Sequence, residues 1–162
     1  MARTAWRRRE FTGALVAGAL LPVVAQAKDS ALPVPASLPA AAEAAMRLGE
    51  PLVLLVTLPG CPFCELVRRS YLLPARQDAG LQAWQLDVSN RTTALLGFDG
   101  KPTTAALQTR TWKASFTPTV LFLGARGQEL AERLVGIAVP DFYGAYLEDR
   151  LATARKLLAG PR

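Results

Sequence analysis

Cys61 and Cys64, with Pro62 and Phe63 between them, are the two cysteines in a chain of 162 residues. Thiols at this spacing can pass between dithiol and disulfide, a two-electron step that needs no cofactor. Other uses are weaker on residue grounds. A static disulfide clip closing so short a loop would remove little chain entropy. A metal site would need further ligands, and the chain has no histidine and no third cysteine. Paired thiolates suit Cu(I), yet neither histidine nor a Met-rich stretch accompanies them. The lack of histidine also excludes Ser-His-Asp and Cys-His machinery.

The pair can work only if neighbouring elements hold it. Residues 52–58 (LVLLVTL) form an apolar run rich in β-branched side chains, which reads as a central strand covered on both faces. Pro59-Gly60 ends it. Residues 62–73 read as a helix, with Leu66, Val67, Ser70 and Tyr71 inside and Arg68 and Arg69 outside. Pro74 is expected to stop or kink that helix. The cysteines thus fall at a strand-to-helix junction. A helix start offers unpaired N–H groups and a partial positive charge, which favour a thiolate. Cys61 is therefore assigned as the attacking sulfur and Cys64, one turn inward, as the resolving thiol.

The remaining elements alternate in type. A short Ala-rich helix over 40–48 precedes the first strand, and a second strand covers 81–88. Residues 90–101 read as a loop, 104–113 as a short helix, and 120–123 (VLFL) as a third strand. Residues 124–127 read as a hairpin turn, with its partner strand over 129–135. A long amphipathic helix over 141–158 carries Asp141 as its cap. Early alternation implies a right-handed βαβ unit, and the hairpin adds an antiparallel pair. The fold class is α/β, a mixed central sheet with helices on both faces. The segment Gly97-Phe98-Asp99-Gly100-Lys101 fails as a phosphate loop, because its spacing is wrong and Pro102 follows the lysine.

Half of the formal charge of +6 lies in the first 27 residues, where Arg3, Arg7, Arg8 and Arg9 face Glu10 alone. An uncharged stretch follows and ends in Ala25-Gln26-Ala27, a small-x-small pattern. Residues 1–27 therefore read as an export signal peptide, with Arg8-Arg9-Glu10-Phe11 resembling a twin-arginine signal and cleavage expected after Ala27. The exported chain would be about 135 residues and periplasmic. Residues 28–39, with Pro33, Pro35 and Pro39, read as a solvated Pro-rich linker. No basic run interleaved with aromatics is present, which argues against nucleic acid as a partner.

The cysteine pair at its strand–helix junction, together with Phe116-Thr117-Pro118-Thr119 before VLFL, resembles the thioredoxin fold over residues 40–160. The segments Gln85-Leu86-Asp87-Val88, Phe98-Asp99-Gly100, Thr117-Pro118-Thr119 and Arg133-Leu134-Val135-Gly136 resemble exported thioredoxins of the SoxW type, which are associated with sulfur oxidation. The resemblance implies that Pro118 is cis and faces the pair. It also implies that Thr117 and Pro118 bind an extended substrate chain beside Cys61. The expected activity is periplasmic thiol–disulfide exchange with protein substrates, without organic cofactor or metal. Expected partners are thiol or disulfide proteins and a membrane protein that resets the pair; a monomer is expected. The alternatives are a binding or chaperone module on the same fold and a copper-handling protein.

This chain departs from that family in ways that bear on the chemistry. Leu55 stands where many thioredoxins carry a buried acid, Gln85 where a lysine often lies, and Gly60 where a tryptophan usually precedes the first cysteine. Phe63 takes the place of the histidine found in strongly oxidising relatives. Glu65 adjoins the pair and is expected to face solvent.

Overall fold

The computed structural model describes residues 30–137 and 139–160. The stretch read as an export signal lies outside the described residues.

The apolar run after Pro51 forms strand β1 (Leu52–Thr57), in which all six residues are buried. It pairs in parallel with β2 (Ala83–Asp87) and antiparallel with β5 (Thr119–Leu123). Strand β6 (Leu134–Val135) adds an antiparallel edge, so the sheet order is β2-β1-β5-β6. Successive side chains of β1 point to opposite faces. Val53 and Leu55 enter one core with Val67, Leu72, Phe122, Tyr143 and Leu147. Leu52, Leu54 and Val56 enter the other with Leu38, Ala42, Leu121 and Ala105. The first core is covered by α2 (Pro62–Val67), α3 (Leu73–Ala79) and α5 (Tyr143–Leu158). The second is covered by α1 (Leu38–Arg47) and α4 (Ala105–Thr111). The architecture is thus the mixed sheet with helices on both faces that the sequence implies.

Pro74 does not stop the helix that starts at Pro62. A π-turn over Arg68–Leu72 joins α2 to α3, closed by the Leu73 N–H donating to the Arg68 carbonyl. A proline removes one donor and crowds the carbonyl four residues back. The wide turn placed just ahead of it accommodates both, and the helical path continues to Gly80 in the left-handed region. The face also differs from the sequence reading. Arg68 is buried, as are Leu72 and Leu73, whereas Ser70 is exposed.

Three other segments differ from their sequence reading. The expected loop over 90–101 contains β3 (Ala94–Leu96), which pairs antiparallel with β4 (Pro102–Thr104). Asn90 organises its approach, its side-chain oxygen accepting from the N–H groups of Thr92 and Thr93. The partner strand expected over 129–135 pairs only at Leu134–Val135, with an isolated bridge from Leu123 to Glu129. Between these points Arg133 reaches across to donate to the Trp112 carbonyl at 3.0 Å. A single 3₁₀ turn, Pro140–Phe142, leads into α5, and Asp141 lies in that turn instead of capping the helix.

The Pro-rich stretch before α1 is extended but not solvated along its length. Leu32 and Pro35 are buried. The Pro33 carbonyl accepts from the Gln85 N–H, and the Ala36 carbonyl from the Leu96 N–H, both at 2.9 Å. Prolines lack donors, yet their carbonyls and those beside them still accept, so such a stretch can lie along the free edge of β2. Ser37 then caps α1, its hydroxyl accepting from the Ala40 N–H.

Candidate functional site

The end of β1 delivers the chain to Pro59 and Gly60. Gly60 has φ +75°, a conformation that side-chain-bearing residues rarely adopt. The turn it permits lets the Cys61 N–H donate to the Leu58 carbonyl. Cys61 itself is extended (φ −83°, ψ 109°) and is the N-cap of α2, with Pro62 at the first helical position, where no N–H is required.

Capping brings the sulfurs together. The Cys61 Sγ accepts from the Cys64 backbone N–H at 3.2 Å. The two residues are joined as a disulfide with a Cα–Cα distance of 5.3 Å. They differ in access: Cys64 is fully buried, while Cys61 is partly exposed. An incoming group therefore meets Cys61 first.

The strand opposite completes the site. The Thr117–Pro118 bond is cis. The Thr117 hydroxyl donates toward the Cys61 Sγ at 3.9 Å, across 56 residues of sequence. Pro118 is buried and its carbonyl accepts from the Gly136 N–H at 2.7 Å, while the Thr119 hydroxyl donates to the Phe116 carbonyl. These bonds fix the corner facing the cysteines. Cys61, Cys64, Thr117 and Pro118 thus lie in one place. Phe63, Phe116, Leu58 and Val135, all exposed, lie on the segments that build this corner and the cysteine turn.

One helical turn beyond Cys64 lies a polar group that the sequence reading missed. Arg68, four residues after Cys64 on the same helix face, is 8 % exposed. Its Nε donates to Gln85 Oε1 at 2.8 Å, and an Nη donates to the Thr57 hydroxyl at 3.0 Å. The other Nη pairs with Glu65. Glu65 is half-exposed and also bonds Arg69. The Arg68 hydrogen bond holds the Glu65 carboxyl below its ordinary range, helped by both guanidinium charges and opposed by partial burial. Glu65 therefore faces outward while it anchors a buried cation. The signal was present in the spacing, since an inward Cys64 places position 68 inward as well.

A family model described as a thioredoxin-like domain matches residues 38–151. This chain belongs to the thioredoxin-like family. Among solved structures, thioredoxin O2 from Arabidopsis thaliana aligns with a TM-score of 0.50 at 17 % identity, covering 75 % of this chain and 96 % of that one. Mitochondrial thioredoxin 3 from Saccharomyces cerevisiae aligns at 0.48 and 16 % identity, covering 75 % and 93 %. The periplasmic thioredoxin SoxS from Paracoccus pantotrophus aligns at 0.42 and 18 % identity, covering 63 % and 96 %. No curated protein matches the chain in sequence. A thioredoxin-like domain with paired cysteines at a helix start is a thiol–disulfide oxidoreductase.

Proposed function

We propose that this thioredoxin-like protein is exported to the bacterial periplasm, where it exchanges disulfides with protein substrates in the manner of SoxW-type thioredoxins. The observation that carries the exchange reading is the unequal access of the two sulfurs: a partly exposed Cys61 beside the Thr117 hydroxyl, and a sealed Cys64 one turn behind.

In the reducing direction, the Cys61 thiolate attacks one sulfur of a substrate disulfide. A mixed disulfide forms and the other substrate sulfur leaves as a thiolate. The N–H that caps Cys61 stabilises negative charge on that sulfur before attack. Cys64 then gives up its proton and attacks the Cys61 sulfur. The protein disulfide closes, and the substrate departs as a dithiol after taking up two protons in all. The reverse sequence oxidises a substrate. Thr117 and Pro118 hold the substrate chain extended across Cys61, and the exposed Phe63 and Phe116 favour apolar residues beside the substrate cysteine.

Export rests on the basic head, the apolar stretch and Ala25-Gln26-Ala27. After exchange, a membrane redox protein resets the pair. Insulin reduction with a chemical reductant tests the chemistry. Cys61→Ser is expected to abolish turnover, and Cys64→Ser to accumulate mixed disulfides with substrate. Turnover by Cys61→Ser equal to the parent protein would sink the proposal. Mass spectrometry of the periplasmic fraction is expected to find Lys28 as the first residue.

A further inference from the structure

Two features of the sheet face covered by the helix of Cys64 bear on its chemistry. Leu55, fully buried on β1, offers no ionisable group, and its register partner on β2 is the neutral Gln85. Arg68 brings a buried guanidinium to the same side of the sheet, and among the described residues it is the one buried cation. Arg68 and Cys64 are successive-turn neighbours, the Arg68 N–H donating to the Cys64 carbonyl. Such pairs have Cβ atoms about 5–6 Å apart. A guanidinium stays charged at every working pH.

Two carboxylates, Glu65 and Asp87, lie on the side of the sheet where Arg68 sits and offset its charge in part. From β1 it meets the neutral Thr57, and from β2 the neutral Gln85. On its own helix it meets Glu65, whose carboxylate is shared with Arg69 and half-exposed. Asp87, opposite Thr57 in the sheet, spends its Oδ1 on the N–H and hydroxyl of Ser89. A screened, shared carboxylate offsets only part of a dry cation's field.

We propose that Arg68 is a positioning residue that sets the redox equilibrium of the Cys61–Cys64 couple, its fixed positive charge favouring the reduced, thiolate-bearing form over the disulfide. The inference rests on the exchange reading and adds the group that tunes it. The equilibrium is read against glutathione. Two glutathione thiols reduce the protein disulfide and become one glutathione disulfide; two electrons and two protons pass to the protein sulfurs, and the sulfur held as a thiolate releases its proton to solvent.

The experiment equilibrates full-length parent protein, Arg68→Met, Arg68→Lys and Glu65→Gln in a series of glutathione buffers at neutral pH, with trapping by alkylation. Arg68→Met is expected to shift the equilibrium about tenfold toward the disulfide, which is about 30 mV for this two-electron couple. Arg68→Lys keeps the charge but not the fork, and is expected to stay close to the parent. Glu65→Gln removes the countercharge and is expected to shift the equilibrium the opposite way, by about threefold. A structural role alone gives no reason for opposite shifts at the two positions. A folded Arg68→Met with the parental equilibrium overturns the inference, as does Arg68→Lys falling as far as Arg68→Met. Should Arg68→Met fail to fold, an unmoved Glu65→Gln overturns it. Parent protein that never equilibrates with glutathione removes the exchange reading, and this inference with it; parental exchange with unmoved variants removes the inference alone.

Discussion

Glu65 shows how one side chain joins the surface to the interior. Its carboxylate reaches Arg69 in solvent and Arg68 beneath the surface. The Arg68 hydrogen bond, the largest cause, lowers its pKa below the ordinary value of 4.5, which favours the charged carboxylate. A depressed acid contributes stability above its unfolded value and loses it as pH falls through the folded one. The contribution is therefore present at neutral pH and disappears below about pH 4.5 in acid. Half-exposure and salt screening keep it modest. The urea midpoints of the parent and Glu65→Gln are expected to differ at about pH 7 and to converge as pH falls through the lowered folded value, with a smaller gap at high salt. Parallel curves across that range would show that the carboxylate bears no such load. At this scale the cysteine pair was plain in the sequence, because two lone thiols at a strand-to-helix junction have few uses besides exchange. Arg68 was not. An arginine on a helix usually means solvent, and its partners Thr57 and Gln85 lie 11 and 17 residues away, on strands whose pairing the helix sequence does not reveal.

At the scale of elements, β1 was legible because a buried central strand needs an unbroken apolar run, and 52–57 provide one. Strands β3 and β4 were not, because three residues each offer too few alternating positions to stand out from a turn-rich stretch. The π-turn was hidden for another reason. Pro74 signals a missing donor, but whether the chain breaks or widens depends on the core waiting for Leu72 and Leu73. The hairpin turn gives a direct test. Gly127 has φ +77°, and a Cβ there would come within 2.5 Å of the Phe98 ring. Gly127→Ala is expected to cost about 1–3 kcal/mol from backbone strain and crowding together. Gly60 has a similar φ, +75°, but nothing within 4 Å of an added Cβ. Gly60→Ala is expected to cost less than Gly127→Ala in urea denaturation, and a reversed order would contradict this packing.

The described residues form a four-stranded sheet between two apolar layers and a separate β3-β4 pair, and the main sheet's edge extends further than the proline content suggests. Phe122, fully buried on β5, is expected to cost about 3–5 kcal/mol as Phe122→Ala in urea denaturation. Leu32 lies before the first helix, yet it is 2 % exposed and belongs to the same core. Leu32→Ala is expected to cost about 2–4 kcal/mol, measured by denaturation. A loss within a few tenths would return residues 30–37 to the status of a tether. Their extended shape followed from composition; their docking did not, because it depends on where Gln85 and Leu96 present their N–H groups. The burial of Cys64 has a practical corollary. With two cysteines in the entire sequence and one of them sealed, any cross-linked species on a non-reducing gel of the folded protein must be attached at Cys61. The attachment point of each such band is thereby known without mapping, and the scrambled isomers that a third thiol would create do not arise.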